Sequence, residues 1–165
     1  MNRCGFTLIE LVIYILVFSV GITSIMVLMP QILSHGSDAT LRLRGIQVAR
    51  AAIEEIVAKK WDEATPNGGG SIASSSSFGS DPGEISMALY DDVDDFDGLA
   101  GVASDDSNGF NLTAGYTIDV SVSFVDLSGT SLGSSGASNY KQIKVTVHNP
   151  AIAEDYELHA VKGNF

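Results

Sequence analysis

From Phe6 to Met29 the chain reads Phe-Thr-Leu-Ile-Glu-Leu-Val-Ile-Tyr-Ile-Leu-Val-Phe-Ser-Val-Gly-Ile-Thr-Ser-Ile-Met-Val-Leu-Met, and Glu10 is the only charge within it. About 24 residues rising about 1.5 Å each make roughly 36 Å of helix, against a hydrocarbon layer roughly 30 Å thick. The stretch is therefore long enough to span a membrane, which constrains the fold more than any other segment does. A carboxylate at the bilayer centre costs on the order of 3 kcal/mol even on permissive scales. Glu10 stands near the start of the run, where an interfacial position lowers that cost, and it is a functional candidate.

Ahead of the apolar run stands Met1-Asn2-Arg3-Cys4-Gly5, a short polar start with one basic residue and a terminal glycine. A basic leader ending in Gly5, then Phe6-Thr7-Leu8-Ile9-Glu10-Leu11, resembles the class III signal sequence of type IV pilins and of the pseudopilins of type II secretion. In that family a prepilin peptidase cuts after the glycine and methylates the new amino terminus. The resemblance implies leader cleavage between Gly5 and Phe6, N-methylation of Phe6, and an assembly role for Glu10. The physical logic agrees: helices packed in a filament core bury each carboxylate, which then needs an opposite charge, and the freed amine of Phe6 on a neighbouring subunit is available. Unlike a secretory signal, the apolar run follows the cleavage site and stays in the mature chain.

The same resemblance implies three partners: the prepilin peptidase, other pilin subunits met through the N-terminal helix, and the inner-membrane assembly platform. It also implies a location, with a single pass through the bacterial inner membrane, the leader cytoplasmic and the head periplasmic, followed by transfer to the pilus and cell surface. Charge alone does not orient the span, because Arg3 on one side is countered by Arg42 and Arg44 on the other.

The 165 residues leave room for the helical anchor and one small head. Lys and Arg total 9 against 20 Asp and Glu, a net charge of −11, so the surface repels nucleic acid and no nucleic-acid partner is expected. A solvated acidic surface is the simple reading of that imbalance. Cys4 is the single cysteine and would leave with the leader, so the mature chain has no disulfide. Many pilins close their C-terminal region with a disulfide, so another device must hold it here. A lipoprotein reading of Cys4 fails because no apolar stretch precedes it.

Along the chain, Gly21 and Pro30 suggest a bend near Pro30. Helical spacing restarts from Ser37 or Asp38 as N-cap, with Leu43, Ile46, Ala49, Ile53 and Ile56 on one apolar stripe, and ends near Trp61 to Ala64, before Pro66 and a glycine run. Arg50 with Glu54, and Glu55 with Lys59, stand at helical pairing distance on the opposite face. Thr65 to Gly83 reads as a Gly/Ser surface loop, with Ser74 to Ser77 open to glycosylation, and Asn111-Leu112-Thr113 fits a glycosylation triplet. Ile85 to Tyr90 reads as a short strand.

Asp91-Asp92-Val93-Asp94-Asp95-Phe96-Asp97-Gly98 follows. Carboxylates on a tight turn suit calcium, which takes six to eight oxygens, so Asp91, Asp92, Asp94, Asp95 and Asp97 are candidate ligands. The EF-hand pattern fails, because Val93 falls at the first ligand position and Ser104 at the last. No other cofactor is expected. The segment also resembles one in minor pilins of the mannose-sensitive haemagglutinin pilus group. Asp105 to Gly109 reads as a turn.

From Tyr116 the period becomes two. Tyr116, Ile118, Val120, Val122 and Phe124, then Ile143, Val145 and Val147, then Tyr156, Leu158 and Ala160, mark one face of three antiparallel strands separated by a Gly/Ser loop at 128–139. His148 and His159 fall on successive strands out of register, which favours surface histidines over a metal pair. The expected fold is α+β and pilin-like: a long N-terminal helix, half transmembrane and half amphipathic, packed on a small antiparallel sheet. Its expected parts are a leader at 1–5, a membrane or filament-core helix at 6–30, an amphipathic helix at 31–64, a Gly/Ser- and Asp-rich loop region at 65–115, and the sheet at 116–165. No nucleophile with a base and no phosphate-cradling loop emerges, so the chain reads as a structural subunit and not an enzyme. Three functions are left open: a minor type IV pilin that is incorporated into, initiates or caps a pilus used for adhesion, a minor pseudopilin of type II secretion, and a membrane-tethered binding domain.

Overall fold

The computed structural model describes residues 7–67, 70, 72, 78–127, 133–134 and 138–164, with the backbone alone at 31–37 and 133–134. The expected leader with Cys4 and Gly5, the expected cleavage partner Phe6, the serines Ser74 to Ser77 and most of the 128–139 stretch lie outside the described residues. Helix α1 runs from Leu8 to Ala58 with Pro30 inside it, so helical structure continues through the expected restart at Ser37 or Asp38. It stops at Ala58, short of Trp61. The chain divides into two compact units, residues 1–40 and 41–165.

In the second unit, α1 meets an antiparallel sheet of order β1-β2-β4-β5, where β1 is Val102–Ala103, β2 Thr117–Asp126, β4 Tyr140–Asn149 and β5 Glu154–Gly163. A two-residue strand β3, Gly133–Ser134, pairs with β2 inside the stretch expected to be loop. Alternation sets the register, with Val120 opposite Val145 and Val145 opposite Leu158, so the Ile and Val pairs of β2 and β4 lie on the core face and Leu158 packs against it.

The helix buries the later part of the expected stripe, Ala49, Ile53 and Ile56, but not its first two residues. Val48, Ala49, Ala52, Ile53 and Ile56 are buried, whereas Leu43 and Ile46 remain 64% and 44% exposed. The cause is steric. A Cβ on Gly45 would lie 2.3 Å from Cε2 of Tyr156, so Gly45, Ala49 and Ala52 form a small-residue face that lets backbone and sheet approach closely. Leu43 and Ile46, on either side of Gly45, are turned outward.

Ile85 to Tyr90 is not a strand. A 3-10 turn, Met87–Leu89, occupies it, and a second 3-10 turn forms at Asp94–Phe96. Lysines from elsewhere satisfy the chain leaving α1: Lys162 donates to the Val57 carbonyl at 2.9 Å and Lys141 to that of Trp61 at 2.6 Å. The chain end is held by hydrogen bonds. Asn164 accepts from the Ile72 N–H at 3.0 Å and donates to the Ile72 carbonyl at 2.7 Å, while its backbone N–H donates to Asn139 at 2.9 Å.

Candidate functional site

Two regions hold the candidate residues. In the first unit, the Thr7 carbonyl accepts from the N–H groups of Glu10 and Leu11 at 3.1 and 3.2 Å, which starts the helix. Glu10 lies in the first turn, where a carboxylate is favoured by the N–H groups left unpaired at a helix start. The Tyr14 hydroxyl, one turn on, donates to Glu10 at 3.4 Å. Leu8–Pro30, 23 residues, is long and apolar enough to cross a membrane and has none of its span buried. Its hydroxyls close on their own backbone: Ser19 donates to the Leu16 carbonyl, Thr23 to Ser19 and Ser24 to Val20, at 2.9, 2.7 and 2.9 Å. Such internal bonding lets polar side chains enter hydrocarbon without an unsatisfied group.

The second region is the acidic turn, which is far less solvated than its composition suggests. Asp92, Asp94 and Asp95 are all buried. Asp92 accepts from the N–H groups of Asp94 and Asp95 at 2.7 and 3.3 Å, and Asp95 accepts from those of Asp91 and Asp92 at 3.0 and 3.1 Å. The two carboxylates therefore cap one another's turn. Asp97 accepts from the Val122 N–H at 2.7 Å and ties the turn to β2.

Lys60 and Lys141 supply the counter-charge. Lys60 meets Asp91 at 3.0 Å, and its backbone bonds to Asp91 and Val93 run the turn alongside the end of α1. Lys141 is 0% exposed, 2.6 Å from Asp94, with its ammonium 3.7 Å from the centre of the Trp61 ring. Trp61 is buried and forms the aromatic wall of this ion pair.

Burial pushes Asp92 up, and pushes Asp94 up to about 7 against the pull of Lys141. Burial, followed by a hydrogen bond to Asp95, pushes Glu84 up to about 7, while Lys60 holds Asp91 down. Glu63 with Asp91 and Asp92, and Glu84 with Asp91 and Asp95, each bring three carboxylate oxygens within 4.8 Å, a ligand type that suits a hard cation. Asp94 and Asp97 belong to neither group.

Glu63, Glu84, Lys60 and Lys141 were not singled out by the sequence reading. Lys141 had a signal: it shares the inward parity of Ile143, Val145 and Val147, two residues before the first of them. His148 faces Asp155 across β4 and β5, and His159 faces Lys144, so the two histidines do not meet.

A family model described as the prokaryotic N-terminal methylation motif matches residues 1–26. No curated protein and no solved structure matches the chain.

Proposed function

We propose that this chain, a type IV pilin-like precursor by its methylation motif, is a minor type IV pilin. Prepilin peptidase removes residues 1–5 and methylates Phe6, and the mature subunit is drawn from the inner membrane into a fibre through Leu8–Pro30. The observation that carries this reading is one continuous arrangement: the motif at 1–26 takes in most of the apolar span Leu8–Pro30, which has no buried residues and a single carboxylate in its first turn. An apolar span exposed from Leu8 to Pro30 needs lipid or neighbouring helices as its surroundings, and a pilin has each in turn. The fifth place after the cleavage point puts Glu10 where a neighbour's methylated amine can neutralise it on leaving the membrane. The segment Asp91 to Gly98, similar to one in minor pilins of the mannose-sensitive haemagglutinin group, supports a head that initiates, caps or decorates a pilus used in attachment.

The test is the amino terminus of the protein recovered from cells, read by mass spectrometry. A chain beginning at N-methylated Phe6 supports the assignment; one that keeps Met1 ends it. Deletion of the gene then separates the machines: loss of surface fibres supports the pilus, and loss of protein export with fibres intact replaces it by a secretion pseudopilus.

A further inference from the structure

His148 is held on both sides. Its Nε2 lies 2.8 Å from Oδ2 of Asp119 on β2, and its Nδ1 lies 2.8 Å from Oδ1 of Asp155 on β5. The other oxygen of Asp119 accepts the Gly101 N–H at 2.6 Å, immediately before β1. One imidazole therefore joins β2, β4 and β5, and through Asp119 it reaches the segment entering β1.

A neutral imidazole has one N–H and can donate to one carboxylate only. With the second nitrogen unprotonated, its lone pair would face a carboxylate oxygen at 2.8 Å, acceptor against acceptor. Both contacts are favourable together only for the imidazolium. Asp119 and Asp155 are the charged groups that face the ring. The nearby Glu157 is engaged by Lys144 at 2.6 Å and His159 at 2.7 Å, and Glu154 by Arg42 at 2.6 Å.

We propose that His148 is a proton-operated clamp of the head, holding the β4–β5 hairpin and the Gly101 segment onto β2 while its ring is charged and releasing one of them when the proton leaves. Hydrogen bonds from the ring to Asp119 and Asp155 raise the pKa of His148, and Asp119 is lowered by its bonds to Gly101 and His148. A raised histidine adds stability that is complete below the unfolded value, near 6.5, and is lost as pH rises through the folded value. A lowered aspartate adds stability above its unfolded value, lost as pH falls through the folded one. The clamp thus holds from acid pH, above the Asp119 transition, up to the histidine transition.

The experiment uses the full chain in detergent micelles. The ring nitrogens are followed by NMR from pH 5 to 9, with His148→Gln identifying the resonances, and the urea midpoint of the head is measured at pH 6 and 8.5 for both proteins. The expected result is a His148 ring titrating above about 6.5, and a fall in midpoint from pH 6 to 8.5 that is smaller in H148Q. Asp94, Glu84 and Lys162 titrate in the same interval, so the difference between the two proteins is the readout. A ring titrating at or below about 6.5, or an equal fall in H148Q, overturns the clamp. Should H148Q fail to fold, the ring's own titration and amide exchange decide: exchange of the Gly101 amide or of the β5 amides must accelerate, beyond its intrinsic pH dependence, as the ring loses its proton, and acceleration at neither overturns the clamp.

Discussion

Leu8–Pro30 and the head from Leu41 onward treat polar groups in opposite ways. In the first, every described large apolar side chain is exposed and each hydroxyl turns back onto its own helix. In the second, a lysine and several aspartates are buried together with the apolar face of the sheet, while Leu43, Ile46 and Ile85 stay exposed. The span is complete only with surroundings supplied from outside, lipid or other helices. The head closes its core and pairs its charges by itself. What stabilises the span is therefore composition; what stabilises the head is a set of long-range pairings that one substitution can undo.

The strongest test of that difference is Lys141→Met. Removing one partner of a buried pair leaves the Asp94 carboxylate uncompensated, at a cost of about 3–5 kcal/mol. Urea unfolding of the full chain in micelles at pH 8.5 should show this loss, with membrane insertion unchanged. The loss should shrink as pH falls toward 7, because Asp94, already raised to about 7 beside Lys141, is raised further without it and takes up a proton there. Lys141→Met combined with Asp94→Leu removes both charges and should recover most of the stability. A single variant as stable as the parent at pH 8.5 would show that the pair is not what closes the head.

Two glycines of α1 give a smaller contrast of opposite sign. A Cβ on Gly21 meets nothing within 4 Å, and a Cβ on Gly45 meets the Tyr156 ring at 2.3 Å. Gly45→Ala forces that ring to move and should cost about 1–3 kcal/mol in the urea unfolding of the head. Gly21→Ala removes a poor helix former without a clash and should leave the head untouched, adding up to about 1 kcal/mol of local helix stability, read by amide exchange in the span. Equal effects at the two sites would mean that the helix does not pack closely on the sheet at Gly45.

This contrast also explains what could be read from the chain. The span was legible because it depends on length, apolarity and one adjoining motif, none of which needs a folded structure. The three long strands were legible because Ile118 to Phe124 and Ile143 to Val147 alternate strictly. The helix face was legible at Ala49, Ile53 and Ile56 but not at its start, where close approach at Gly45 outweighed the bulk of Leu43 and Ile46. The acidic turn misled for a related reason. Composition counts charges but does not tell which of them meets a lysine on a distant strand, and Lys141 showed its burial only through its parity with Ile143.

The smallest effect concerns Glu84, whose carboxyl sits against Asp95 in a turn that already buries acids. Burial and the hydrogen bond to Asp95 raise it to about 7. A raised acid favours folding below the unfolded value, near 4.3, and that contribution is lost as pH climbs through the folded value. At pH 8.5 the ionised group therefore opposes the fold. Glu84→Gln keeps the shape and a donor toward Asp95 while removing the charge, so it should raise the urea midpoint at pH 8.5 and leave it nearly unchanged at pH 5. The gain should be smaller than either effect above, because the site is only partly covered and solvent screens the repulsion. A midpoint that falls at pH 8.5 would mean that the Glu84 carboxylate stabilises this turn, through a counter-ion at the Glu84, Asp91 and Asp95 group, and that the head, like the span, completes itself with something from outside.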